Sequence, residues 1–287
     1  MNVKAASLFF ACLFSSTLAV AAGDYEGRKD VQDFAKQVAK KHALDEAKVL
    51  ELLTSAQRRD SILEAISRPA EKRLEWFEYR RIFITEKRIK EGVQFWKKHQ
   101  KTLQAASEKY GVPEQVIVAI IGVETSYGGN TGSYRVIDSL MTLGFDYPKR
   151  GKFFRGELEA FLQLTNEENI DPKGAKGSYA GAIGMPQFIP TSYRAYAVDF
   201  DGNGQRDLWN SVEDITGSVA AYFSKHGWTK GEPVVQRVNY SGNAADINTS
   251  LKVKHTVAKW NQLGVSGDTG LDKSAKAALF KVKNETG

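Results

Sequence analysis

The chain has 287 residues, 42% hydrophobic and 26% charged, with 40 Lys and Arg against 34 Asp and Glu for a formal charge of +6. That balance excludes a low-complexity or disordered chain, and the length suffices for one large or two to three small domains. The basic excess is modest. Scattered Lys and Arg on a soluble surface account for it, and it points only weakly to nucleic acid or an anionic polymer.

The N-terminus begins Met1-Asn2-Val3-Lys4, continues through Leu8, Phe9, Phe10, Leu13, Phe14 and Leu18, and reaches Ala19-Val20-Ala21 before Gly23-Asp24. A basic start, a short apolar middle and small residues at its end predict a signal peptide over residues 1–21, cleaved near Ala21. The apolar stretch is too short for a membrane span, and no other run approaches membrane length. Cys12, the one cysteine, lies inside this stretch with apolar residues continuing past it, so lipid attachment there is not expected. The mature chain then has neither disulfide nor thiol chemistry.

Residues 22–105 read as an N-terminal helical region. Val31, Phe34 and Val38, then Val49, Leu52 and Leu53, recur near helical spacing, with Asp45 as a start signal for the second segment. Pro69 interrupts before a long stretch, 71–110, in which Trp76, Tyr79, Phe83, Ile89, Val93, Trp96 and Leu103 are expected mostly in the core. Gly111 is placed to end that stretch, and Pro113 to open the next helix at its first position. The run from Val116 to Val123 is apolar on every face and predicts a buried helix; its length alone also permits a strand, but the Pro start and the Gly128-Gly129 stop favour helix. Glu124 follows directly. A carboxyl carried to an interior has its charged form disfavoured and its pKa raised, the property a general acid needs. The plainer reading is a glutamate at a helix end, facing solvent or paired with an arginine.

Farther on, Phe154, Leu158, Phe161 and Leu162 share one side of an amphipathic segment, and a glycine-rich stretch runs from Gly174 to Pro190. It lacks the Lys-Ser or Lys-Thr ending of a phosphate loop. Asp199-Phe200-Asp201-Gly202-Asn203-Gly204 starts like an EF-hand calcium loop, with oxygen donors at positions one, three and five and Gly at six; Gln205 would add its backbone carbonyl. The twelfth position is Asn210, where the standard loop has Glu. Helix is expected again between Trp209 and Trp228. Beyond Gly231, Val234-Val235 and 251–254 look strand-like, with turns at 241–243 and 266–268, which predicts a small mixed segment over 231–287.

The stretch Gly122-Val123-Glu124-Thr125-Ser126-Tyr127-Gly128 closely resembles the membrane-bound lytic murein transglycosylase B family. The resemblance extends in order through 110–113, Phe145-Asp146-Tyr147-Pro148-Lys149-Arg150, the stretch from Gly177 to Pro190, and His226-Gly227-Trp228. It implies a mainly α (α+β) fold with a lysozyme-like catalytic core over 106–230, carrying the EF-hand-like loop, followed by the small C-terminal β segment. It also implies a periplasmic lytic transglycosylase acting on peptidoglycan glycan strands, in the company of cell-wall synthesis or remodelling proteins and without nucleic acid. Glu124 would protonate the glycosidic oxygen between N-acetylmuramic acid and N-acetylglucosamine. It would then take the proton of the muramic C6 hydroxyl, giving a 1,6-anhydro end. A muramidase and a non-catalytic peptidoglycan binder on the same fold are the alternatives.

By the same resemblance Ser178, Gln187 and Phe188 lie beside the acid and Tyr79 and Tyr222 near the groove. Tyr127 is a further stacking candidate by its ring alone, with core packing as the plainer reading for all three tyrosines. Lys149 and Arg150, after the turn-forming Pro148, are candidates for the carboxylates of peptide stems or a solvated basic pair. The implied structural Ca2+ would be held by Asp199, Asp201, Asn203, Gln205 and Asp214, with Glu213 the competing last ligand. Family members also carry a groove-lining Tyr-Asn pair in a C-terminal segment; Trp260-Asn261 lies too early to match it.

Overall fold

Where the chain carries regular apolar spacing it forms helices, and in the computed structural model twelve are seen among the described residues, 23–68, 74–243, 253, 255–267 and 270–284. The predicted signal peptide with Cys12, the Pro69 break, most of the 251–254 strand and Asp268 fall outside them. The first two helices, α1 (Lys29–His42) and α2 (Glu46–Thr54), bury Val31, Val38, Val49, Leu52 and Leu53, and the Asp45 side chain accepts from the Ala47 and Lys48 amides as the expected cap. Next come α3 (Asp60–Ser67), α4 (Trp76–Phe83), α5 (Glu86–Lys98) and α6 (Gln100–Tyr110).

Here the expectation of an aromatic core fails. No residue of α4 is buried; Trp76 is 42% exposed, Ile89 56% and Val93 46%, and only Leu103 of the seven is fully inside. Helical spacing identifies residues that share a face, but not whether another element covers it.

Gly111 ends α6 in the left-handed region at φ 74°, and Pro113 stands as the N-cap of α7 (Glu114–Thr125), one position earlier than predicted. The helix is not buried all round. Ile117, Val118, Ile121 and Gly122 face the core, whereas Ala119, Val123 and Glu124 are exposed. After the strand β1 (Tyr134–Arg135) come α8 (Val136–Asp146) and α9 (Gly151–Glu167), packed along each other; β2 (Lys176–Gly177) pairs antiparallel with β1, Tyr134 opposite Gly177. Then follow α10 (Pro190–Tyr196) and α11 (Val212–Lys225), which packs on α6, α7 and α10. A connected set of buried residues runs from Tyr25 to Ala220.

The C-terminal segment holds β3 (Asn239–Tyr240), β4 (His255–Thr256), α12 (Val257–Gln262), β5 (Val265–Ser266) and β6 (Lys276–Ala277), with β3 paired to β5 and β4 to β6. Val234 and Val235 are not strand: they are exposed, and the backbone pairing starts at Asn239.

Candidate active site

The C-terminal turn of α7 presents Glu124, and the way this helix stops sets the carboxyl's position. Ser126 and Tyr127 follow in the left-handed region, at φ 50° and 59°, an uncommon conformation for residues with a Cβ. Their amides close the helix: Ser126 N donates to Gly122 O at 3.1 Å and Tyr127 N to Ile121 O at 3.3 Å. The reversal is held from outside by Arg88 on α5, whose Nη2 donates to Ser126 Oγ at 2.9 Å. The Tyr127 hydroxyl is wedged against Gly92 of α5 and Gly122 of α7. The glycines predicted to stop α7 lie beyond this reversal.

Glu124 has no hydrogen bond or ion pair among the described residues, and desolvation pushes its pKa above the ordinary glutamate value. The residue as a whole is exposed, so the carboxyl is accessible from one side while protein on the others displaces enough water to disfavour its charge. Other carboxylates are engaged elsewhere. Asp138 is held by Arg135 and the Gln57 amide, Asp146 by Arg28, Glu157 caps α10 through Thr191, and Glu159 meets Lys41 and His42.

The glycine-rich segment is tied to this helix end. Thr125 Oγ1 donates to Met185 O at 2.8 Å and accepts from Gly128 N at 3.1 Å. Gln187, itself at φ 53°, donates through Nε2 to Thr131 O at 3.2 Å and Gly184 O at 2.9 Å, and its Oε1 has no hydrogen-bond partner among the described residues. Ser178 Oγ accepts from the Ala180 and Ala182 amides, at 3.3 and 3.0 Å, so its own proton remains available. Both side chains thus shape the turn as well as offering one free function each.

The aromatic candidates divide. Phe188 is buried, its ring 5.5 Å from Tyr222, and acts as packing beneath the segment. Tyr222 is half-buried and stacked on His226 at 3.9 Å. Tyr127 points into the α5–α7 seam, 5.5 Å from Phe95. Tyr79 is half-buried on the exposed α4, edge-on to Phe83. Lys149 and Arg150 are exposed, the latter's guanidinium 4.2 Å from the Phe153 ring centre. Arg88, Thr125 and Met185 were not anticipated from sequence; Arg88 sits in a run of charged helix residues and carries no local signal of its tertiary partner.

In the acidic loop, ligand atoms of Asp199, Asp201 and Asp214 lie within 4.8 Å of one another. Among the described residues no Lys or Arg pairs with them, so the oxygen cluster fits a hard divalent cation. Asp214 is completely buried and accepts from the Phe200 and Asp207 amides at 2.7 and 2.8 Å. Glu213 instead accepts from Thr102 Oγ1 on α6, at 3.3 Å. Asn203 Oδ1 accepts from the Gln205 amide at 2.8 Å, within the turn.

A mostly helical fold whose central helix ends in an accessible, unpaired and desolvated glutamate is the framework of a lysozyme-like glycan-cleaving enzyme. Residues 26–287 match the transglycosylase SLT domain, and the chain belongs to that family. It is 39% identical over 274 residues to the membrane-bound lytic murein transglycosylase B of Escherichia coli strain K12, covering 92% of this chain and 75% of that protein. The crystal structure of catenated lytic transglycosylase SltB1 from Pseudomonas aeruginosa superposes with a TM-score of 0.88 at 44% identity, covering 92% of this chain and 88% of that one. E. coli Slt35 in complex with calcium gives 0.83 at 39% identity, covering 92% and 84%. The protein is a peptidoglycan lytic transglycosylase.

Proposed function

We propose that Glu124 is the single acid and base of this enzyme, cleaving the β-1,4 bond between N-acetylmuramic acid and N-acetylglucosamine. The supporting observation is its unpartnered, desolvated carboxyl at an accessible helix end. Protonated, it donates to the leaving glycosidic oxygen. As carboxylate it then accepts the proton of the muramic C6 hydroxyl while that oxygen attacks the anomeric carbon, so the proton lost in the first half is regained in the second. The nucleophile is part of the substrate, and tethering substitutes for a second carboxylate and an activated water. The commitment of Asp138, Asp146, Glu157 and Glu159 to other partners fits this economy.

In the same reading the Ser178 hydroxyl and Gln187 Oε1 bind sugar or acetamido groups, Tyr222 and Tyr79 offer ring faces, and Lys149 and Arg150 receive the carboxylates of peptide stems. Phe188 and Tyr127 support the site from below. Asp199, Asp201, Asn203, the Gln205 carbonyl and Asp214 hold Ca2+, which keeps the loop in shape and takes no part in proton transfer. The enzyme works in the periplasm after removal of residues 1–21, on glycan strands and alongside proteins of cell-wall remodelling.

Purified sacculi incubated with the enzyme are expected to release anhydro-muropeptides, read by mass. Reducing ends in their place would make it a muramidase, and binding without release a non-catalytic binder. Glu124→Gln should lower turnover by about 10²- to 10⁴-fold with folding intact; full activity in that variant rules Glu124 out.

A further inference from the structure

Outside the residues gathered around Glu124, a cavity of about 460 Å³ opens between the C-terminal end of α9, the loop before β2 and the loop before α11. Its volume lies in the range of small-ligand sites. Trp209 forms one wall and is held in place: its Nε1 donates to Lys176 O at 3.2 Å, and its ring lies 6.0 Å from that of Tyr193. Among the described lining residues the one cation, Arg206, is already neutralised by Glu168 and also donates to Arg194 O, so none of them leaves a positive charge for a phosphate or carboxylate.

The remaining polar groups are mostly unspent. The Asn169 and Gln205 carboxamides make no hydrogen bond among the described residues. Asn210 uses Nδ2 on Asp207 Oδ2 at 3.0 Å and keeps its Oδ1; Asp171 uses Oδ1 on the Lys173 amide at 3.0 Å and keeps Oδ2. A fixed indole beside two free carboxamides, a free amide oxygen and a free carboxylate oxygen matches a neutral ring with an apolar C–H face and hydroxyl and acetamido groups around its edge.

We propose that this cavity is a second saccharide site, gripping an N-acetylhexosamine unit of a glycan strand away from the cleaved bond; it rests on the peptidoglycan reading above. An enzyme acting on an insoluble polymer gains residence from a second weak contact without any change in chemistry.

Chitotriose is the probe, added to the full chain carrying Glu124→Gln so that nothing is turned over. It should shift the Trp209 indole N–H resonance. A second protein carrying Asn169→Gly and Asn210→Ala in addition should lose that shift; glycine accepts the φ of 53° at 169, and Asn210 is an exposed side chain outside the calcium ligands. In the otherwise wild-type chain the same pair of changes should weaken co-sedimentation with sacculi by about 3- to 10-fold, the size of one or two neutral hydrogen bonds. Turnover of soluble muropeptide fragments should stay unchanged. A Trp209 resonance indifferent to chitotriose, or sacculus binding unaltered in the double variant, overturns the site. A Trp209 shift in the Glu124→Gln protein, together with a parent chain that releases no anhydro product from sacculi, would overturn the catalytic reading and leave this one standing.

Discussion

As the acid and base proposed above, Glu124 depends on a balance between access and desolvation. Desolvated, and with no cation or donor among the described residues to stabilise its charged form, the carboxyl keeps its proton to higher pH than a free glutamate. Activity should therefore fall as pH rises through this elevated value, because the first step needs the acid. The same displacement has a stability signature. A pKa raised in the folded state means that the native protein binds the proton more tightly, so stability is full below the unfolded value near 4.5 and is lost as pH rises through the folded value. Glu124→Gln removes a charge that the native state disfavours. Its melting temperature should exceed that of the parent at neutral pH, and the advantage should vanish when both are measured at pH ~3. A variant less stable than the parent at neutral pH would show that Glu124 has a favourable partner.

Among the elements, the α5–α7 pair determines where that carboxyl points. Tyr127 folds back so that its hydroxyl occupies the space over two glycines: a Cβ at Gly92 would lie 2.3 Å from Oη and one at Gly122 2.4 Å from it. Alanine at either position gains about 1 kcal/mol of helix propensity, yet overpacking costs about 1–3 kcal/mol. Gly92→Ala and Gly122→Ala should both lower the denaturant midpoint. Tyr127→Phe removes Oη and leaves Cζ, 3.0 Å from the new Cβ at 92 but 2.6 Å from that at 122. It should therefore rescue Gly92→Ala well and Gly122→Ala poorly, and equal rescue would refute the wedge. Local spacing pointed to the helix that ends at Glu124 and to the acidic loop, while the family motif around it singled out Glu124 itself. Sequence did not show this seam, because Gly92 and Tyr127 are far apart in the chain and only packing joins them. Nor did it reveal α8, whose Asp138, Ser139 and Thr142 are buried and erase the two-faced pattern by which a helix is recognised. For α4, and for Ile89 and Val93 on the outer side of α5, the error ran the other way, apolar spacing being present without a covering element.

Across the molecule, the acidic loop joins parts that no short motif connects. Asp199 and Asp201 lie just after α10, whereas Asp214 is buried in the first turn of α11, the helix that packs on α6, α7 and α10. Between them Phe200 fills the space above Gly217 of α11 and lies 6.3 Å from Tyr110 of α6, with the Lys109 ammonium 5.0 Å from its ring centre. A cation drawn to the three carboxylates would oppose their mutual repulsion and lock α11 to this cluster, and so the platform on which α7 rests. Bound only by the native state, calcium at about 100 times its dissociation constant adds about 2.7 kcal/mol of stability. Chelation should accordingly lower the melting temperature of the whole chain in one transition, and Asp201→Asn should blunt that response. Glu213→Gln should leave it intact, because Glu213 faces Thr102 on α6. Turnover well below the transition should be nearly unchanged by chelator, since both proposed proton transfers pass through Glu124 and not through the loop. A melting temperature indifferent to calcium would leave the three carboxylates as a metal-free turn, and a loss of turnover without a loss of stability would place the ion in the reaction.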